Sequence, residues 1–170
     1  MRNQDTTTTR LAKGALAGAA GVWAMDRADW FMVRQQDSRA WQRTQAVRPH
    51  GKDPAHNLVD MVGALFGAAP RPQPNALGIA THYAVGVLPA AVYARLALRR
   101  RIGPAGGPLF GLLVGTLVDE LLNPAIGAAA PARRYPWQAH ARGVVAHLVY
   151  GAVTELALRA LDRRGAGRSG

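Results

Sequence analysis

Histidine and carboxylate side chains set within apolar segments are the groups in this sequence whose types and spacing could do chemistry. Near the C-terminus, His140, His147 and Glu155 interrupt a largely apolar run. On a helix that turns about 100° per residue, these three share one stripe with Gly143 and Gly151. Histidine titrates near neutral pH, and burial moves the pKa of a carboxyl group upward into the same range. Such a stripe can therefore exchange protons or bind a cation.

Three other apolar segments carry groups of the same kind. Two acids lie late in the first segment, a histidine lies early in the second, and two acids lie late in the third. Because consecutive membrane spans run antiparallel, we expect these groups and the two histidines above in one half of the membrane, on the side of the long loop. The candidate proton, ion or polar-layer residues are Asp26, Asp29, His82, Asp119, Glu120, His140, Arg142, His147 and Glu155.

The composition excludes some chemistry and favours a membrane partner. The chain has 170 residues and no cysteine, so neither a disulfide framework nor a cysteine-based metal site is available. Its formal net charge is +11, and its cations, nearly all arginine, are grouped at the ends of apolar segments. That distribution favours the lipid bilayer and its anionic headgroups as partners over nucleic acid. A membrane-protein partner and a homo-oligomer are both compatible with it.

Four apolar segments predict an all-α fold, a four-transmembrane-helix bundle with one interfacial or loop helix between the first and second spans. A span needs about 20 residues, so the apolar run 55–69 in the long loop is too short to cross. A cleaved signal peptide ending near Ala24 is the less favoured alternative, since the apolar run resumes at Trp30. We predict a disordered polar tail at 1–10, one membrane domain at 11–160 with spans at about 11–33, 76–98, 104–122 and 139–158, and a basic tail at 161–170.

Small residues recur at helical spacing in all four segments. In lipid, glycine lets two helices approach closely, so a glycine stripe indicates a helix–helix contact rather than a lipid-facing surface. The candidate packing glycines are Gly14, Gly18, Gly78, Gly86, Gly111, Gly115, Gly143 and Gly151.

A basic turn from Arg95 to Arg101 is the strongest topological marker in the chain. Positively charged loops are retained in the cytoplasm, so this turn predicts that both termini of a four-span protein are cytoplasmic as well. Glu155 lies nearer to this face than the other acids do, and Arg95 or Arg99 could pair with it.

The polar layer has three interpretations. As structural glue, its hydrogen bonds and ion pairs would fix the register of the helices. As a proton or ion site, it would use groups that titrate near neutral pH. As a metal site, His82, His140, His147 and Asp119 could hold a transition metal such as Zn²⁺. No Ser-His-Asp pattern or phosphate-binding glycine loop occurs, so no catalytic residue is assigned and no cofactor beyond that metal ion is considered.

Three stretches carry a resemblance to a known family: GALAGAAGVWAMDRADW at 14–30, LVDELLNPAIG at 117–127 and YPWQAHARGVVAHLVYGAVTE at 135–155. The series Pro-Trp-Gln-x-His-x-Arg-Gly-x3-His-x2-Tyr-Gly-x3-Glu is the specific part. Together they resemble the YagU-like inner membrane protein family. The resemblance implies a small multi-pass protein of a bacterial inner membrane, and it supplies no reaction. The residues at the matching motif positions are Asp26, Asp119, Glu120, Trp137, His140, Arg142, His147 and Glu155.

We therefore expect a non-enzymatic membrane protein whose histidine and carboxylate layer senses or passes protons or a small cation. The alternative is a structural or accessory membrane subunit whose polar layer only fixes helix packing. A metal-binding membrane enzyme is the third hypothesis.

Overall fold

The computed structural model describes residues 6–96, 99 and 102–167 of the chain, with side chains through residue 164. All regular structure in these residues is helical, which confirms the all-α class. Three helices are long and apolar enough to cross a membrane: Ala76–Tyr93, Gly103–Ala125 and Trp137–Arg164. They lie where the second, third and fourth spans are predicted, whereas the first predicted span is a longer and more polar helix.

The first helix, α1, covers Thr7–Gln35 and begins inside the segment predicted to be disordered. Thr6 explains the early start, because its side-chain oxygen accepts a hydrogen bond from the Thr9 backbone N–H at 3.1 Å. This bond satisfies one of the free donors in the first turn of the helix. The prediction of disorder is therefore wrong for residues 7–10, and residues 1–5 lie outside the described part of the chain.

The long loop contains two helices rather than the one predicted. α2 covers Ser38–Val47 and follows Asp37, whose side chain accepts a backbone N–H of the first turn at 3.3 Å. α3 covers Pro54–Ala64, and Asp53 caps it in the same way at 3.0 Å. α2 is polar and buries only two small side chains, so it lacks the apolar run on which the prediction of a loop helix depends.

The fourth and fifth helices lie on either side of the basic turn in the sequence. α4 covers Ala76–Tyr93 and ends before the predicted limit of the second span, because the arginines that follow belong outside the hydrocarbon core. Residues 97 and 98, the last two of that predicted span, lie outside the described residues. α5 covers Gly103–Ala125, and its segment Gly115–Leu122 is a π-helix.

The last helix, α6, covers Trp137–Gly167 and continues through most of the segment predicted as a basic tail. Asp162 explains the extension, because it is tied to two other parts of the molecule. The Lys13 ammonium lies 3.4 Å from one of its carboxylate oxygens, and the Arg99 guanidinium donates to the other at 2.6 Å. These ion pairs hold the end of α6 against the start of α1 and the turn after α4.

Glycines bring α1 close to α4. A Cβ atom added at Gly14 would lie 2.6 Å from Ala91 Cα. A Cβ atom added at Gly18 would lie 2.6 Å from Ala90 Cβ. No side chain larger than hydrogen fits at either position without moving the helices apart, so this GxxxG pair sets the α1–α4 distance.

A second glycine contact joins α5 to α6. A Cβ atom added at Gly111 would lie 3.0 Å from Gly151 Cα, and one added at Gly107 would lie 2.5 Å from the Gly151 carbonyl oxygen. Gly107 was not among the candidate packing residues. The backbones of α5 and α6 are therefore in direct contact over two turns.

The remaining candidate glycines divide into three groups. Gly86 and Gly115 pack against side chains of neighbouring membrane helices. Gly78 packs against the His56 ring of α3, so its partner is a loop helix and not another span. Gly143 is a correction to the predicted set: nothing lies within 4 Å of the position of its Cβ atom, because it faces a cavity.

Candidate functional site

A cavity of about 900 Å³ lies between α1, α4, α5 and α6, at the end of the bundle that carries α2 and α3. Of the nine candidate polar residues, only Glu155 is absent from its wall. The others contribute four carboxylates, three histidines and one arginine. The cavity is lined by Asp26, Asp29, His82, Asp119, Glu120, His140, Arg142 and His147.

Asp26 of α1 and His82 of α4 form the first histidine–carboxylate pair. His82 Nε2 lies 2.8 Å from Asp26 Oδ1, a hydrogen-bond distance. About a third of each side chain is exposed, at 38% for His82 and 33% for Asp26. The pair therefore joins two helices while remaining in contact with the cavity.

His147 and Asp119 form the second pair, between α6 and α5. The His147 Nδ1–H donates to the Gly143 carbonyl at 3.0 Å. Its other ring nitrogen, Nε2, lies 3.6 Å from Asp119 Oδ2. The carbonyl therefore holds the proton on Nδ1 and orients the ring so that Nε2 faces the carboxyl group of Asp119.

His140 and Glu120 repeat this arrangement, with His140 about two turns of α6 nearer to the loops. The His140 Nε2–H donates to the Ala132 carbonyl at 3.1 Å, and Nδ1 lies 3.1 Å from Glu120 Oε1. Again a backbone carbonyl holds one ring nitrogen in its protonated form, and the other nitrogen faces a carboxylate. In both pairs the bond to the carbonyl orients the imidazole ring independently of the carboxylate.

The π-helical segment of α5 presents both acids to α6. Asp119 and Glu120 are adjacent in sequence, and an α-helix would separate them by about 100° around its axis. A π-helix has more residues per turn, so successive side chains diverge less. This local geometry lets neighbouring carboxylates reach His147 and His140, which lie seven residues apart on α6.

Arg142 belongs to a different kind of contact on the same wall. Its Nε donates to Asp29 Oδ1 at 2.6 Å, and its Nη1 donates to Gln36 Oε1 at 2.7 Å. The guanidinium carbon also lies 5.3 Å from the centre of the Trp41 ring. Arginine keeps its charge throughout the physiological range, so this contact ties α6 to α1 and α2 but does not titrate.

α3 covers the cavity through a histidine that the sequence analysis did not single out. His56 is 5% exposed, its Nε2 accepts the Asn75 backbone N–H at 3.2 Å, and its Nδ1–H donates to Asp53 at 2.9 Å. Both ring nitrogens are thus committed, with the proton on Nδ1. The neighbouring Asn57 amide donates to the carbonyls of Pro49, Lys52 and Ala128 at 3.0 to 3.2 Å.

The roof of the cavity, formed by His56 and Asn57 of α3, was predictable from the sequence only in part. Asp53 precedes Pro54 in a pattern typical of a helix start, and that signal places a carboxylate beside the first turn. Nothing in the local sequence shows that α3 lies against the start of α4. The contacts of His56 and Asn57 were therefore not predictable from spacing.

Glu155 lies at the closed end of the bundle, away from the cavity. It is 3% exposed, and its two oxygens accept from the Arg99 guanidinium at 3.2 and 3.3 Å. Arg159 Nε also donates to it at 2.7 Å, and the Tyr93 hydroxyl donates to it at 3.0 Å. Of the two arginines considered as its partner, Arg99 is the one that pairs with it.

Tyr150 closes the cavity toward that end. Its side chain is 1% exposed, and its hydroxyl donates to the Gly86 carbonyl at 2.5 Å, which joins α6 to α4. Val22 of α1 and Val114 of α5 are buried beside it in one apolar cluster. The cavity is therefore packed shut at its floor.

The predicted metal site gains no support from this arrangement. Within the residues described, no group of three or more histidine, aspartate and glutamate side chains is placed to hold a metal ion. The three histidines of the proposed set pair with three different carboxylates. A metal ion at this site stays a prediction.

No family model, curated protein or solved structure matches the chain. The resemblance to YagU-like proteins therefore stays a prediction that depends on the motifs alone, and the function must be argued from the cavity.

Proposed function

We propose that this chain is a four-span membrane protein whose cavity binds and releases protons from one side of the membrane. The observation that carries the proposal is the pairing of three histidines with three carboxylates on one cavity wall. In two pairs a backbone carbonyl orients the ring and leaves the second nitrogen for a proton shared with the acid. Histidine is the side chain whose ordinary pKa allows such exchange near neutral pH.

The proposal takes α1 as the fourth span. Its 29 residues reach about 44 Å at 1.5 Å per residue, which exceeds the hydrocarbon core. One face of α1 is buried against α4 and α6, and the opposite face exposes Leu16, Trp23, Trp30 and Phe31. Two of its acids are paired on the cavity wall, where lipid does not reach them.

We also propose the location that the motifs imply, a bacterial inner membrane. In this placement the basic turn after α4 and both termini face the cytoplasm, and the cavity opens toward the outside. The proposed relationship to YagU-like proteins agrees with it, because that family consists of small multi-pass inner membrane proteins.

The packed floor favours sensing over passage. A proton entering the cavity reaches the three pairs but then meets Tyr150, the buried valines and the glycine contact between α5 and α6. Passage would require these helices to separate, whereas sensing requires only that the charge of the pairs change. We therefore propose that the titration of this layer alters the packing of α1 and α4 against α5 and α6.

The structural alternative has one observation in its favour: the ion pairs of Asp26, Asp29, Asp119 and Glu120 on the wall each join two different helices. However, the carboxylates of these pairs are 33% to 49% exposed. In the pairs of Asp26 and Glu120 the histidine is also more than a third exposed, and such ion pairs contribute about 0–1 kcal/mol each because water solvates both charges. Pairs that only fixed helix packing would be expected to lie deeper, as the Glu155 pairs do.

Proton uptake by the purified protein in nanodiscs tests the proposal. The wild-type protein is expected to bind more protons between about pH 8 and pH 5 than the double variant His140→Gln/His147→Gln. The exposed His50, which is outside the cavity, supplies the matched control, and His50→Gln should lose only the proton of a solvated histidine. Equal uptake by the cavity variant and the control variant would refute the proposal.

A second measurement separates sensing from passage. The protein is placed in liposomes that contain a pH-sensitive dye, and a pH gradient is applied across the membrane. Decay of the gradient at the rate of empty liposomes is expected for a sensor. Faster decay that disappears in the double variant would show passage and would mean that the floor at Tyr150 opens.

A further inference from the structure

Arg48 is an arginine on the cavity wall without a counter-charge bound to it. It follows α2 and lies with its guanidinium carbon 5.5 Å from the centre of the Trp41 ring. Among the contacts of the described residues, its side chain donates no hydrogen bond to a carboxylate or a carbonyl group. Arg142, whose guanidinium carbon lies 5.3 Å from the same Trp41 ring, is bound by Asp29 and Gln36.

The carboxylates near Arg48 are already engaged. Asp53 accepts from the His56 ring and from the first turn of α3, and Asp29 accepts from Arg142. Burial lowers the pKa of Arg48 and outweighs the attraction of these two acids, which raises it. A half-buried guanidinium in this state lacks the partner that normally compensates for its lost water.

Two aromatic side chains complete the surroundings of Arg48. Trp41 lies beneath the guanidinium, and Tyr135 lines the same cavity. The Tyr135 hydroxyl oxygen accepts the Ala130 backbone N–H at 3.3 Å, so its own O–H can still donate. An anionic group placed beside Arg48 would thus meet the charged N–H donors of the guanidinium and the neutral O–H donor of Tyr135.

The rim outside Arg48 is basic as well. A smaller cleft of about 330 Å³ shares Tyr135 with the main cavity and is lined by Arg43 and Arg134. The wall of the main cavity also carries apolar side chains next to the histidine–carboxylate pairs, among them Met25, Val114 and Val118. The positive charges of Arg48, Arg43 and Arg134, together with the apolar side chains of the wall, match a molecule with an anionic head and a hydrocarbon body.

We propose that the mouth of the cavity binds the carboxylate or phosphate group of an amphipathic anion, with Arg48 as the principal contact and the apolar wall around the body of the ligand. The anion can be a soluble acid or the headgroup of an anionic lipid, since both present the same chemistry to a guanidinium. This site goes beyond the proton-binding layer: it requires the fixed charge of Arg48 and not the titration of the histidines.

Calorimetry on the protein in nanodiscs of zwitterionic lipid tests the soluble source, with octanoate as the probe and empty nanodiscs as the blank. Saturable binding is expected, with affinity reduced at least tenfold in Arg48→Gln and largely kept in Arg48→Lys. Arg39→Gln is the matched control, because Arg39 is an exposed arginine of α2 that does not line the cavity. This control should bind octanoate as the wild type does.

Native mass spectrometry tests the lipid source. Wild-type protein transferred from nanodiscs that contain phosphatidylglycerol is expected to retain this lipid, and Arg48→Gln should retain it at least threefold less. Binding from either source that depends on Arg48 supports the site. Circular dichroism and the elution volume of each variant establish that it is folded.

Three results would overturn the inference. One is octanoate and phosphatidylglycerol binding that Arg48→Gln leaves unchanged. Another is the absence of saturable binding of both probes to the wild type. The third is inorganic phosphate binding as tightly as octanoate, which would remove the role of the apolar wall. None of these outcomes affects the proton-uptake measurement, so the two proposals can fail separately.

Discussion

The two ends of this bundle both contain charged residues between helices, but they use them differently. At the closed end, Glu155 and Arg99 are 3% and 5% exposed, and every oxygen of Glu155 is bound. At the cavity, the acids of the histidine pairs are 33% to 49% exposed, and their partners can lose their charge. The first arrangement uses arginine, which keeps its charge at ordinary pH values, and the second uses histidine.

The difference shows that burial and partner type together decide what an ion pair does. Burial lowers the pKa of Arg99, but hydrogen bonds and attraction from Asp162 and Glu155 outweigh it and raise the pKa above its ordinary value. Arg99 therefore stays charged and serves as a permanent clamp between the turn after α4 and α6. The half-exposed histidine pairs are weak clamps, and their variable charge is what suits them to a response.

The largest effect on stability is expected at the closed end. Glu155→Gln should lower the free energy of unfolding by about 3–5 kcal/mol, because it leaves the buried Arg99 without its full counter-charge. Glu120→Gln in the cavity is the matched change and should cost less than about 1 kcal/mol. Denaturant unfolding in detergent micelles measures both. Similar losses for the two variants would remove the distinction between the ends.

The glycine contact near the closed end should give the next largest effect. A side chain at position 151 would collide with the backbone of α5, so Gly151→Ala is expected to destabilise the protein by about 1–3 kcal/mol. Gly143→Ala on the same helix faces open space and should instead stabilise it by up to about 1 kcal/mol through helix propensity. The same unfolding measurement applies. If Gly143→Ala is the more damaging variant, the packing described for α5 and α6 is wrong.

Two acids of the cavity should differ in their pH response. Asp119 faces a histidine and Asp29 faces an arginine. Asp119→Asn should therefore remove part of the proton uptake between about pH 8 and pH 5, while Asp29→Asn should leave it intact. Asp119→Asn should cost about 1 kcal/mol or less, whereas Asp29→Asn leaves the buried Arg142 without its acid and should cost about 1–3 kcal/mol. A loss of proton uptake in Asp29→Asn alone would contradict the assignment of the titrating layer.

The smallest effect is expected on the roof of the cavity. The side-chain bond from Lys52, with a further bond from the Arg71 backbone N–H, lowers the pKa of Asp60. The contribution of the Asp60 carboxylate to the free energy of unfolding is therefore present above its unfolded pKa of about 3.9. It is lost as the pH falls through the lower pKa of the folded state. The melting temperature of Asp60→Asn should lie below that of the wild type at pH 7 and converge with it in strong acid. A constant difference across this range would show that the ion pair is not its cause.

Much of the architecture could be predicted from the sequence because it depends on local patterns. Helical spacing of His140, His147 and the glycines is a property of the chain itself, and the antiparallel order of apolar segments assigns depth. The histidines and acids that were predicted to share one half of the membrane all line one cavity, and Glu155 lies apart from it. The failures are local too: Thr6 starts α1 early, and Asp37 starts a helix that has no apolar run.

The sequence by itself determined that the chain is helical and which ionisable groups share a layer, because the period of a helix and the length of a span are short-range properties. Only the tertiary structure decided which acid each histidine meets, since that depends on the rotation and spacing of helices far apart in the chain. The tertiary structure also decided that part of α5 is a π-helix and that His56 covers the cavity. It left the Arg48 guanidinium without a hydrogen bond to any of the described residues. Each of these depends on contacts between α2 or α3 and the bundle, or between α5 and α6, that no local pattern encodes.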